Sequence, residues 1–101
     1  MRRAAKIDAN QPEIVKALRD AGCGVVSLAA MGDGVLDLLV HEPFYPWRTV
    51  LMEVKDGSKP PSARKLTPAQ QKFWAEWKGP KYLVNTIDEA LAAVGIQRGR
   101  S

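Results

Sequence analysis

The chain has 101 residues, with 15 Lys and Arg against 11 Asp and Glu and a formal net charge of +4, a length that suits one domain with one hydrophobic core. Apolar residues make up 46% and charged residues 26%, ordinary globular usage that excludes wholesale disorder, collagen and coiled coil. Cys23 is the sole cysteine, which excludes an internal disulfide framework and a Cys-rich zinc site.

Residues Met1-Arg2-Arg3-Ala4-Ala5-Lys6-Ile7-Asp8 lack the apolar heart of a signal peptide, and no apolar run approaches the roughly 20 residues needed to cross a bilayer. The expectation is a soluble, cytoplasmic protein with no membrane partner. Asn10 and Glu13 have capping-box spacing and open a helix with the apolar stripe Ile14, Val15, Leu18 and Ala21, which Gly22 closes. Cys23 to Leu28 and Val35 to Val40 read as strands, separated by the turn signal Met31-Gly32-Asp33-Gly34. His41 to Trp47, with Pro43 and Pro46, is a connection to a third strand from Arg48 to Lys55.

Asp56 to Lys65 combines Gly57, Pro60 and Pro61 with Lys59, Arg64 and Lys65 and reads as a mobile basic loop. A second helix follows, with Thr67 as N-cap, Pro68 at N1 and Gln70 at N3, running through Phe73 and Trp77 to Gly79-Pro80. Trp74 and Trp77, three apart, can share a helix side, with core or dimer packing favoured and base stacking the alternative. Lys81 to Val84 is a fourth strand. A third helix opens on Thr86 and Glu89, another capping box, carries Ile87, Leu91 and Val94, and ends at Gly95 before a polar tail. The order αβββαβα predicts one α/β domain over residues 1–101, a four-stranded mixed sheet flanked by helices, with its core at about 11–94 and basic tails at 1–9 and 95–101.

Two acids stand where apolar residues belong. Asp37 lies at the centre of one apolar strand and Glu53 inside the next, and a buried carboxylate costs several kcal/mol unless it is paired or metal-bound. Alternation along a strand puts Leu51, Glu53 and Lys55 on one face. If the two strands are neighbours, two carboxylates and an ammonium converge at one edge of the sheet. Hard oxygen ligands of this kind suit Mg²⁺, with the backbone carbonyl of Val54 as a further ligand and Lys55 stabilising negative charge at phosphorus. Glu-x-Lys carries little information by itself: Glu76-Trp77-Lys78 also fits, but on a helix, where positions two apart diverge. The structural alternative is a buried Glu53/Lys55 or Asp37/Lys55 ion pair.

The segments Gly32-Asp33-Gly34-Val35-Leu36-Asp37-Leu38-Leu39-Val40, Leu51-Met52-Glu53-Val54-Lys55 and Leu66-Thr67-Pro68-Ala69-Gln70, with Phe73 and Trp77, resemble the VRR-NUC branch of the PD-(D/E)XK nuclease superfamily. The resemblance spans about Gln11 to Val94; Leu36 stands where the superfamily name has Pro, at a position that varies across the superfamily. It implies a restriction-endonuclease-like core and Mg²⁺- or Mn²⁺-dependent hydrolysis of phosphodiesters. Asp37 and Glu53 would be metal ligands and Lys55 the catalytic lysine. It also implies a homodimer acting on branched DNA such as four-way junctions, without an organic cofactor. Glu13 matches the family's first-helix acid, which reaches the metal, with the Asn10 capping box as its rival role. Gln70 matches a glutamine bordering the active site, with capping again the alternative.

Lys59, Arg64 and Lys65 are candidates to hold flanking phosphates, against the reading of a solvated loop, and Lys72, Lys78 and Lys81 would extend that surface. His41 has no partner at metal-ligand spacing and is given no role. Competing functions are a nuclease without junction selectivity, a non-catalytic nucleic-acid-binding module of the same fold, and an adaptor whose ion pairs are structural. Three charged residues inside apolar strands favour the enzyme.

Overall fold

A computed structural model describes residues 8–32, 34–44 and 48–97. The elements are α1 (Gln11–Asp20), β1 (Gly24–Ser27), β2 (Leu38–His41), β3 (Thr49–Val54), a 3-10 turn (Pro61–Arg64), α2 (Pro68–Glu76), β4 (Lys81–Val84) and α3 (Ile87–Ala93). This is an α/β fold with the expected order of elements. The strands lie side by side as β1-β2-β3-β4. The first two pairings are antiparallel and β3 pairs parallel with β4, as short connections and one long crossover through α2 require.

Alternation sorts the sheet into two unlike faces. Leu38 and Val40, Val50, Met52 and Val54, and Val84 point one way and pack with Ile14 and Leu18 of α1 and Ala90, Leu91 and Val94 at α3. Burying each Leu or Ile side chain there is worth about 2 kcal/mol. The other face carries Val26, Leu39, Leu51, Glu53 and Leu83, and Val26, Leu39 and Leu83 remain exposed. No helix among the described residues is long and apolar enough to cross a membrane.

Several local expectations are corrected. The second strand begins at Leu38 rather than Val35, because Gly32 and Gly34 take positive φ values of 74° and 77° and the Val35 N–H closes a turn on the Gly32 carbonyl. Asp37 thus sits just before β2, not at the centre of a strand. The loop from Asp56 contains a 3-10 turn at Pro61–Arg64. Asn10 has helical φ and ψ (−85°, −4°) and its side chain makes no cap bond. The capping box foreseen at Asn10 and Glu13 does not form. Thr67 and Gln70 do form the full reciprocal box, whereas Glu89 accepts from the Asn85 N–H instead of from Thr86. Trp77 is exposed rather than packed in the core, stacking on Phe73 (centroids 5.8 Å apart), while Trp74 is half-buried with Lys81 over its ring. Residues 1–7 and 98–101 of the expected basic tails, and 45–47 of the expected connection, lie outside the described residues.

Candidate active site

Asp37, Glu53 and Lys55 meet where β2 begins and β3 ends. The pairing of β2 with β3 stops at Leu38 and Met52, so Val54 has no strand partner on that side. Its N–H is taken instead by Asp37 Oδ2 at 2.8 Å. In an extended chain the N–H and C=O of one residue point to the same edge, so the Val54 carbonyl opens beside Asp37.

Glu53 faces away from α1 and α3 and meets the start of α2. Gln70 Nε2 donates to Glu53 Oε2 at 2.8 Å, Lys55 Nζ donates to Gln70 Oε1 at 3.1 Å, and Lys55 Nζ lies 3.3 Å from Glu53 Oε2. Gln70 Oε1 also accepts from the Thr67 N–H. The site and capping roles of Gln70, alternatives on the sequence, are thus filled by one side chain. Gly34 makes this approach of α2 feasible: a Cβ there would collide with the Ala69 carbonyl, one residue before Gln70.

Glu53 is only 2% exposed, and its second oxygen, Oε1, is buried without a hydrogen-bond partner. Burial, reinforced by the Asp37 charge, pushes the Glu53 carboxyl up to about 7 against the pull of Lys55 and Gln70. Burial also raises Asp37, opposed by the Val54 N–H, by the neighbouring Glu53 carboxyl and by Lys55, while Asp8 adds to the rise. Two carboxyls raised by burial, one of them further by the other's charge, share a desolvated corner that lacks positive charge. Lys55 supplies part of it, and a buried carboxylate oxygen without a partner fits a divalent cation. No family model, curated protein sequence or solved structure matches this chain. The site stands on its own geometry.

Among the described residues no three His, Cys, Asp or Glu side chains form a metal cage. Asp37, Glu53 and the Val54 carbonyl would hold a cation only in part, leaving coordination to water and substrate, which is the habit of Mg²⁺. Glu13 is not brought to them. It is exposed on α1 and lines a groove with Asn10, Asp56, Gly57 and Ser58, and among the described residues no hydrogen bond or ion pair joins it to Asp37 or Glu53. Lys59 and Lys65 are exposed and Arg64 is half-buried with its Nε unpartnered; all three lie on the segment joining Lys55 to Gln70.

Sequence reasoning missed two residues. Asp8 is close enough to raise Asp37. Asn10 Nδ2 donates to the Lys55 carbonyl at 3.1 Å and the Asn85 carbonyl at 2.9 Å, tying the segment before α1 to the ends of β3 and β4. Spacing carries no signal for either contact, since the partners of Asn10 are 45 and 75 residues away.

Proposed function

We propose that this protein is a divalent-metal-dependent DNA endonuclease with a restriction-endonuclease-like core of the VRR-NUC type, acting on branched DNA as a homodimer. The observation that carries this reading is the buried Glu53 Oε1 without a hydrogen-bond partner, on a carboxyl that the Asp37 charge raises, with the Lys55 ammonium 3.3 Å from its Oε2. Asp37 and Glu53, with the Val54 carbonyl, would hold Mg²⁺ or Mn²⁺. The bound ion supplies Lewis-acid stabilisation of charge building on phosphate oxygens. Lys55, held by Gln70 on one side and Glu53 on the other, keeps a proton-bearing cation at the place where negative charge develops. A structural ion pair explains Lys55 and Glu53, and the bond from the Val54 N–H gives Asp37 a structural role, but neither supplies a partner for the buried Glu53 Oε1.

Lys59, Arg64 and Lys65, on the segment between two site residues, suit contact with flanking phosphates, which fixes position without reading sequence. Symmetric incision of a junction needs two such sites, which a two-fold homodimer provides. The test is incubation of the purified protein with labelled four-way junction, flap, duplex and single-stranded DNA in Mg²⁺, Mn²⁺ or EDTA, with light scattering of the free protein. Cleavage in either metal, none in EDTA and loss in Lys55→Ala support the enzyme. Binding without cleavage in any metal would leave a DNA-binding module, and a monomer that cuts all forms equally would remove the junction and dimer parts.

A further inference from the structure

We infer that the site acts on a strand whose bases are unpaired next to the scissile phosphate, and that one of those bases stacks on Trp77. The inference rests on the nuclease reading and names the form of DNA that this site takes. It starts from an arrangement along α2. Gln70, Phe73 and Trp77, spaced by three and four, fall on one helix stripe. The stripe begins at Gln70, bonded to Glu53 and Lys55, and ends about 10 Å further along at Trp77.

The far end of the stripe is built to present a ring. No residue of α2 is fully buried, and Trp77 is 43% exposed. Its indole stacks on Phe73 with 10° between the ring planes, which fixes it without covering it. Gly79 lets the chain pass close by, since a Cβ there would lie 2.8 Å from the indole nitrogen. The Lys81 ammonium bonds the Trp77 backbone carbonyl and sits 5.4 Å from the centre of the Trp74 ring, adding a cation at the end of the stripe. A braced, half-exposed indole in a basic setting is the usual platform for an unpaired base.

Charge points to the same partner. Asp56 to Val84 holds six Lys and Arg against two Asp and Glu, equal to the whole net charge of the chain. The rest balances at nine of each sign. The positive excess therefore lies on the unit that leaves the site at Lys55, carries the exposed Trp77 ring and returns as β4. A protein partner would be served by the rings alone, whereas rings together with lysines and Arg64 match a phosphate backbone with free bases.

Binding can be tested apart from cleavage by titrating tryptophan fluorescence in EDTA with three probes: a short oligothymidylate, the same backbone with abasic sugars, and a duplex. Oligothymidylate is expected to quench the emission and to bind roughly tenfold more tightly than the abasic strand. Trp77→Leu is expected to remove most of that difference, and Trp77→Phe to keep much of it. Equal affinity for all three probes, or a Trp77→Leu variant that still prefers oligothymidylate, would overturn the inference while leaving the nuclease reading intact. Absence of DNA binding by the wild type would overturn both. Thermal melts of the variants exclude misfolding as the cause, Trp77 being an exposed position.

Discussion

Glu53 carries more of the account than any other residue, because its environment is unfavourable to the charge it must bear. Its carboxyl, raised to about 7 by burial and by Asp37, holds a proton in the folded chain through a range where the unfolded chain has lost it. The folded state then binds more protons than the unfolded state, so stability is highest below the ordinary carboxylate range. It falls as pH rises towards about 7, by a few kcal/mol at most. Asp37, raised in the same direction, adds to the loss. A divalent cation held by these carboxylates, as proposed, would offset it. Calorimetric melting is expected to show Mg²⁺ raising the Tm at about pH 8 and much less at about pH 5. Glu53→Gln is expected to flatten the pH dependence and to weaken the Mg²⁺ effect. A Tm indifferent to Mg²⁺ at both pH values would contradict metal binding at this pair. Gln70 is the supporting residue: Gln70→Ala removes bonds to Glu53, Lys55 and the Thr67 N–H and is expected to cost about 1–3 kcal/mol in denaturant unfolding.

At the scale of elements, two helix starts with similar spacing behave differently. Thr67 has extended φ and ψ (−69°, 164°) and closes its box with Gln70, whereas Asn10 is already helical and spends its side chain on the Lys55 and Asn85 carbonyls. A capping pattern reports local opportunity, and a distant pair of unpaired carbonyls outbid it. Asn10→Ala is therefore expected to lower stability by about 1–2 kcal/mol through lost long-range bonds, and hydrogen exchange should quicken near Lys55 and Asn85 rather than along the first turn of α1. The Glu53 and Lys55 pairing was legible because strand alternation alone puts them together, and Asp37 because its surroundings are apolar. The start of β2 was misread because the turn around Gly32 and Gly34 absorbs Val35 and Leu36, apolar residues that resemble strand. Gly34→Ala tests that turn directly. Positive φ and the collision with the Ala69 carbonyl are expected to cost about 1–3 kcal/mol, and displacement of α2 should lower cleavage as well.

Across the whole molecule, the sheet divides labour between its faces. One face holds the core against α1 and α3, so Leu18→Ala is expected to lose about 2–5 kcal/mol without altering the ends of β2 and β3. The other bears Glu53, the contact with Gln70 and the start of the basic, aromatic α2 unit. The order of elements and the mixed sheet could be read from capping, glycine and alternation signals; of the two helices that the resemblance put at the site, α2 meets Glu53 and Lys55 through Gln70, and α1 does not bring Glu13 there. The central claim is that Asp37 and Glu53 together hold the cation with which Lys55 promotes phosphodiester hydrolysis. Its most direct test is the single-turnover cleavage rate of a labelled four-way junction at saturating Mg²⁺, compared among wild type, Asp37→Asn and Lys55→Ala with folding verified by circular dichroism. The expected result is metal-dependent cleavage by the wild type and a loss of about 100-fold or more in each variant; cleavage at the wild-type rate by either folded variant, or none by the wild type in Mg²⁺ or Mn²⁺, would contradict it.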